Sequence, residues 1–267
     1  MRVFKITLVA LLCAPLWMAT NVLAEKASPI PKVTDEFRFS LTPYVWVPSV
    51  NGTVDYSNNK VAEISMSGNK VLSNLSVGGM FDGEVHYGRW GVMGNATFAK
   101  LSASSTKANM IEQGVTVDAK TDAWLGIYTV AGTYTAYASP SLFVDVLAGA
   151  RFLNLNTKTN LDVSVTQFGY NKDTTLYSQF SATTPVGGVQ GRVRIGETNF
   201  FVPYYLDAGG STAVAKFTSQ QILGVGYTFD IADVLLVYNN LYYNMRKDSV
   251  SAYVNMGGPA IAATFRF

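Results

Sequence analysis

Three side chains that could bind a metal ion or move a proton are spaced two residues apart, at Asp82, Glu84 and His86. On a β-strand this spacing places all three on one face, about 7 Å apart in successive pairs. Carboxylate and imidazole groups together suit borderline metal ions. The alternative is charge pairing with a neighbouring strand, because an unpaired buried charge is costly. We favour pairing with Arg38 and predict no metal and no cofactor.

The first 24 residues predict a secretory signal peptide. Arg2 and Lys5 form a basic start, an apolar stretch runs from 6 to 17, and Val22-Leu23-Ala24 fits a cleavage site. The apolar stretch is too short for a spanning helix, which needs about 20 residues. The one cysteine, Cys13, lies in this segment, so the mature chain is expected to carry no disulfide and no cysteine chemistry.

Charge and composition favour a membrane protein built from strands. Without Arg2 and Lys5, the 20 basic residues fall to 18, which equals the 18 acidic ones. With this balance nothing suggests a nucleic-acid partner, whose binding needs a concentrated positive face. Apolar residues make up 48% of the chain, aromatics 13% and charges 14%, yet no later apolar run reaches the length of a spanning helix. Evenly spread aromatics are typical of an outer-membrane barrel.

Period-two alternation and turn residues predict ten strands. They run over 36–47, 75–87, 89–104, 121–138, 141–157, 178–195, 198–210, 216–229, 233–246 and 253–267. Tight turns alternate with longer connections at 48–74, 105–120, 158–177, 211–215 and 247–252. In lipid a sheet must close on itself, because a free edge leaves backbone groups without hydrogen bonds. We therefore predict an all-β fold, a transmembrane antiparallel up-and-down β-barrel of about ten strands. Eight or twelve strands stay open, since 52–56 and 61–66 could form one more hairpin.

The polar face of the alternation places charged residues in the lumen. Arg151 and Asp207 are predicted at similar depth, and Arg192 and Arg194 level with Asp145. The predicted lumen-facing network consists of Glu36, Arg38, Asp82, Glu84, His86, Asp145, Arg151, Arg192, Arg194, Asp207 and Arg266. Its five acids and five arginines balance, which argues against strong ion selectivity.

The place where the barrel closes brings two cations together. Arg38 and Arg266 would repel each other there unless Glu36, Asp82 or Glu84 lies between them. A barrel of eight strands is just filled by side chains, so one of ten strands is barely wider. The lumen is therefore either a plug of hydrogen-bonded side chains or a narrow path for small solutes.

Four segments carry a resemblance to a known group of proteins. They are Leu41–Trp46 with the following Gly52, Phe143–Phe152, Gly224–Phe229 and Ala263–Phe267. The chain resembles proteobacterial, Gram-negative outer-membrane β-barrel proteins that are porin-like. The resemblance implies location in the outer membrane. It also implies that Phe265 and Phe267 form a signal read by the barrel assembly machinery, with Ile261 on the same face.

The expected organisation has three parts: a signal peptide at 1–24, a periplasmic N-terminal segment at 25–35 and an outer-membrane barrel at 36–267. Both termini are expected in the periplasm, because the strand number is even. The expected partners are outer-membrane lipid and lipopolysaccharide, with no nucleic acid.

The function we expect is a narrow porin-like channel for small solutes. The alternative is a closed structural or adhesion barrel acting through its extracellular loops, and the third is an outer-leaflet lipid hydrolase. A hydrolase needs a histidine as general base, and His86 is the one histidine of the chain. It precedes the predicted turn at Gly88-Arg89, on the periplasmic side, away from outer-leaflet substrates. We therefore predict no catalytic residues.

Overall fold

The computed structural model describes residues 28–57, 59–108, 115–165 and 170–267. Over these ranges the chain forms twelve strands and one short helix. They are β1 (Phe37–Trp46), β2 (Ser49–Tyr56), β3 (Asn59–Met66), α1 (Gly68–Asn74), β4 (Leu75–Tyr87), β5 (Trp90–Ala108), β6 (Val115–Ala138), β7 (Leu142–Val165), β8 (Tyr170–Arg194), β9 (Phe200–Gly209), β10 (Ala215–Thr228), β11 (Asp233–Lys247) and β12 (Val250–Arg266). No helix within these ranges has the length and apolar character needed to cross a membrane. The predicted signal peptide at 1–24 lies outside the described residues.

Ten strands close into an antiparallel up-and-down barrel. β1 is followed around the wall by β4 to β12 in chain order, and β12 pairs again with β1. Phe39 and Phe267 exchange two backbone hydrogen bonds of 3.0 and 2.9 Å at this closure. Gly88 and Gly196 take φ of +58° in two of the tight turns, a conformation that favours glycine. The predicted fold is confirmed. We call the end with these turns and Phe267 the terminal end, and the opposite end the loop end.

The additional hairpin that the sequence left open exists, but it does not widen the barrel. β2 continues the path of β1 along β12: Trp46 pairs with Ala260 and Ser49 with Gly257. β3 pairs with β2, and α1 then leads the chain into β4 beside β1. β2 thus continues β1 after an interruption, and β3 is joined to β4 through α1. The hairpin of β2 and β3 adds no strand to the circumference of the wall, which therefore has ten strands and not twelve.

Two of the predicted loops are mostly strand. β5 and β6 stay paired out to Ala108 and Thr116, and β7 and β8 stay paired out to Val165 and Tyr170. The expected loops at 105–120 and 158–177 were therefore wrong in extent. The polar residues there predicted loops. Strands rich in Thr, Val and Tyr, however, keep their backbone hydrogen bonds equally well in water.

The two faces of the wall have opposite character. On β6, Val130 is 52% exposed on the outer face, whereas the neighbouring inward residue Thr129 is 2% exposed. Outward aromatics mark the limits of an apolar belt at Trp124 and Tyr137, both half exposed. The thirteen residue steps from Trp124 to Tyr137 span about 33 Å along the membrane normal, at 3.3 Å per step and a strand tilt of about 40°. This matches the hydrocarbon core of a bilayer, roughly 30 Å, and an exposed apolar belt of this height is stable only against acyl chains.

Candidate functional site

A single arginine crosses the lumen near the middle of the barrel. Arg151 of β7 is 1% exposed, and its Nη2 donates to the Asp207 carboxylate of β9 and to Gln220 Oε1 of β10 at 2.8 Å. Its Nε donates to Thr129 Oγ1, and its Nη1 donates to Thr218 Oγ1, both at 3.2 Å. The guanidinium is a planar fork with five donors, so one side chain ties β7 to β6, β9 and β10.

Asp207 completes this arrangement, which we call the Arg151 layer: Arg151, Thr129, Asp207, Thr218 and Gln220. The Asp207 carboxylate is fully buried and also accepts from the Gln220 backbone N–H at 3.0 Å and from the Tyr205 hydroxyl. Gln220 Nε2 then donates to Asn239 Oδ1 at 3.0 Å on β11. The pairing of Arg151 with Asp207 agrees with their predicted depth. A buried ion pair whose hydrogen bonds are satisfied in this way is rigid.

An apolar layer backs the Arg151 layer on the side of the loop end. It is a cluster of buried side chains from seven strands, namely Trp46, Ile127, Leu153, Ala182, Ala215, Leu241, Tyr243, Met256 and Ala260. Leu241 is 2% exposed and Tyr243 is 1% exposed. The expectation of a polar interior is therefore correct only in part. The sequence of β11 indicated this apolar part of the interior, because large apolar residues lie on both of its alternating faces.

A chamber of about 690 Å³ opens at the terminal end. Gln220 and Asn239 form its inner wall, so the chamber stops at the Arg151 layer. Ile127 and Leu153 of the apolar layer lie behind that wall. Along these strands the chamber thus ends at the Arg151 layer, and Ala260 is the member of the apolar layer that also lines the chamber.

The three residues with metal-ligand spacing line this chamber. His86 is 6% exposed, and its Nε2 lies 3.4 Å from Glu84 Oε2 and 3.8 Å from Asp145 Oδ2. Glu84 Oε1 also accepts from Gln190 Nε2 at 2.9 Å. Arg38 lies opposite His86 in register, yet its Nη2 donates to the Gly88 carbonyl at 3.1 Å. The basic side chain that contacts Glu84 is therefore His86 and not the expected Arg38.

Within the described ranges, no group of three or more acidic, histidine or cysteine side chains could hold a metal ion. Asp82 belongs to the same strand face as Glu84 and His86 and also lines the chamber. The three side chains alternate along β4 as the sequence predicted, but they do not converge on one point.

Asp233 organises the mouth of the chamber, and sequence reasoning missed it. Its carboxylate is fully buried and forms ion pairs with both Arg192 and Arg266. Arg192 was expected beside Asp145, where the register instead places Gln190. The sequence pattern puts Asp233 at the first position of the predicted strand 233–246, outside the predicted lumen-facing network, although Asp233 begins the inward series of β11.

Two predicted network members lie outside the lumen cluster. Glu36 is exposed just before β1. Arg194 donates from Nε to the Thr198 carbonyl at 2.8 Å and from Nη2 to the Glu197 carbonyl at 2.9 Å, so it braces the turn between β8 and β9. The repulsion expected between Arg38 and Arg266 is avoided because Asp233 binds Arg266.

Comparisons with known proteins place the chain by its fold. No family model matches, and no curated protein matches in sequence. The chain is similar in structure to the outer-membrane protease OmpT of Escherichia coli, with a TM-score of 0.59 and 8% identity, covering 89% of this chain and 99% of that one. Matches also include the attachment invasion locus protein Ail of Yersinia pestis, with a TM-score of 0.29, 13% identity and coverage of 87% and 99%. A FadL homologue of Pseudomonas aeruginosa has a TM-score of 0.32, 7% identity and coverage of 86% and 90%.

The fold is that of Gram-negative outer-membrane β-barrel proteins, as the sequence predicted. The likeness to OmpT concerns the fold alone, because identity is 8%.

Proposed function

We propose that the protein is a closed outer-membrane barrel that does not conduct ions and acts through the surface it presents beyond the membrane. Both termini face the periplasm, and the loop end faces outward. The observation that supports this proposal is the double seal, in which the Arg151 layer and the apolar layer lie one above the other. At this level Arg151, Asp207 and Tyr243 are each 1% exposed. The side chains of the ion pair between Arg151 and Asp207 have no exposed surface.

The acting surface is the polar sheet that β5 to β8 form beyond the apolar belt. On β7 the outward series past Phe152 is Asn154, Asn156, Lys158 and Asn160, and each of the first three is exposed. On β8 all residues from 173 to 179 are exposed, so both faces of this strand meet water. Large exposed polar loops and sheets of this kind commonly carry binding. The surface suits a structural or adhesive role toward an extracellular partner.

A narrow channel for small solutes is the second candidate, and the chamber favours it. A purely structural barrel has no need of about 690 Å³ of space open at the terminal end. Conduction would require the Arg151 layer and the apolar layer to move apart. The chamber is thus the inner half of a path that the seal interrupts.

Enzymatic activity forms no part of the proposal. His86 is 6% exposed and lies between two carboxylates, near the tight turn at Gly88. With periplasmic termini, this position is far from the outer leaflet and its lipids. A general base must reach the proton it removes, and a histidine held in this place does not reach such a substrate.

The outer face of the barrel is proposed to serve assembly and contact with lipid. Ile261, Phe265 and Phe267 are 57%, 37% and 75% exposed, and their spacing by two and four residues places them on the outer face. Such a row is accessible to the barrel assembly machinery before insertion and to lipid afterwards. Lys100 lies over the Trp124 ring at 5.2 Å at the upper edge of the belt, a position suited to lipopolysaccharide phosphates.

Single-channel recording in planar bilayers tests the proposal. Wild-type protein, with insertion verified by protease protection, is expected to give no unit current steps at high protein density. A variant with Arg151→Ala and Leu153→Ala, which removes one side chain from each sealing layer, is expected to show steps. A known porin serves as the positive control. Stable steps from the wild type would overturn the closed barrel and favour the channel.

A further inference from the structure

The chain carries its own N-terminal segment in the mouth of the chamber. Residues 28–34 precede β1, and five of the seven line the opening, namely Ser28, Ile30, Pro31, Lys32 and Thr34. Ile30 is 4% exposed and Pro29 is buried, although neither belongs to a strand of the barrel. A segment outside the wall thus lies in the mouth of the chamber, at the end of the lumen opposite the Arg151 layer.

The mouth holds this segment chiefly by its backbone. Arg266 Nη1 donates to the Ser28 carbonyl at 2.7 Å, and Arg192 Nη1 donates to the Pro29 carbonyl at 3.4 Å. At the other end of the segment the Gly88 N–H donates to the Thr34 carbonyl at 3.0 Å. Main-chain carbonyls are common to every polypeptide, so these three contacts do not depend on the sequence that is bound.

Asp233 holds Arg192 and Arg266 in position to donate hydrogen bonds to the segment. It binds both guanidinium groups from a fully buried position, which fixes their direction and balances part of their charge. Arg192 also lies over the Phe201 ring at 4.7 Å. A guanidinium held this way keeps spare N–H groups that point to the mouth. The donors are therefore in place whether or not the segment is bound.

One buried apolar side chain adds a further contact. Ile30 is the deeply buried member of the segment and lines the chamber, whereas Val33 is partly exposed and does not line it. Pro29 and Pro31 flank Ile30 and restrict it to extended conformations. This restriction lowers the entropy lost on binding. The bound element is an extended chain with one apolar anchor.

We propose that the mouth of the chamber is a binding site for an extended polypeptide with an apolar anchor, and that residues 28–34 occupy it as a displaceable stopper. The partner is a second polypeptide on the side of the termini, which binds after it displaces the stopper. This inference goes beyond the closed barrel, because it concerns the terminal end and holds whether or not the barrel conducts.

Peptide binding tests the proposal directly. The probe is a fluorescein-labelled peptide of residues 28–34, and the readout is fluorescence anisotropy with detergent-purified protein. In the test variant, seven Gly and Ser residues replace 28–34, so that chain length is kept. We expect saturable binding to this variant and at least tenfold weaker binding to the wild type, whose mouth is occupied. A peptide carrying Ile30→Asp is expected to bind the variant at least tenfold more weakly.

A second variant keeps the test decisive if the replaced segment impairs assembly. Full-length Ile30→Asp changes one side chain outside the wall and is expected to bind the peptide at least tenfold better than the wild type. Full-length Val33→Asp is the matched control and is expected to bind no better than the wild type. Heat-modifiable gel mobility verifies that each variant is folded. Equal binding by wild type, Ile30→Asp and Val33→Asp, or no binding by any folded variant, would overturn the proposal.

Discussion

Asp207→Ala is expected to lower the free energy of unfolding by about 3–5 kcal/mol, because it leaves the Arg151 guanidinium buried without its counter-charge. The same change removes the acceptor of the Tyr205 hydroxyl and of the Gln220 backbone N–H. No solvent reaches Arg151 to compensate, since its side chain is fully buried. Urea unfolding of protein in lipid vesicles, followed by tryptophan fluorescence, measures the change.

Two further variants separate loss of charge balance from loss of contacts. Replacing both partners, with Arg151→Met and Asp207→Leu, is expected to recover most of the loss, because no unpaired charge remains. Asp173→Ala removes an exposed aspartate of β8 and is expected to change stability by less than about 0.5 kcal/mol. An Asp207→Ala effect no larger than that of Asp173→Ala would contradict the structural role of the Arg151 layer.

Leu223→Arg is expected to lower stability by about 2–4 kcal/mol, the cost of a cation at the bilayer midplane on the outer face of a barrel. Leu223 is 60% exposed on β10, between the outward aromatics Phe217 and Tyr227. In water such an exposed position would tolerate arginine with little change. The same unfolding assay in vesicles provides the measurement.

Asn156→Arg is the matched control for this prediction. Asn156 is an exposed outward residue of β7, four positions past Phe152 and beyond the apolar belt. Arginine there meets water, so we expect a change of about 0–1 kcal/mol. Equal effects of Leu223→Arg and Asn156→Arg would contradict the assignment of the belt to lipid.

The strands and their faces could be predicted from the sequence because alternation is a local property. On β4 the outward residues Val77, Phe81 and Val85 and the inward Glu84 and His86 lie as the pattern indicated. Closure followed from the need to pair every edge in lipid. How far β5 to β8 extend beyond the membrane could not be predicted in this way. Beyond the membrane the hydrophobic pattern fades, and the backbone ladder alone maintains the strand.

The site was harder to predict, because its contacts depend on the depth of distant strands. Arg151 and Asp207 lie 56 positions apart and were matched by depth. Arg192 and Asp233 lie 41 positions apart and were not matched, because Asp233 lies at the very start of its predicted strand and was not assigned to the lumen. A shift of one or two residues in strand start changes which charges meet. Most residues of the lumen-facing network could be identified from the sequence. Their partners could not, because they depend on the register between strands.

Collision measurements with nitroxide labels at Val130 and Leu223 test most directly whether the apolar outer face of the barrel lies in lipid. Each label is attached to a single cysteine in protein reconstituted into vesicles, with Asn156→Cys as the reference for a position in water. The structure predicts that labels at 130 and 223 collide more with oxygen, which concentrates in the bilayer core, than with a water-soluble nickel complex. A preference for the nickel complex at 130 and 223, equal to that at 156, would contradict the account.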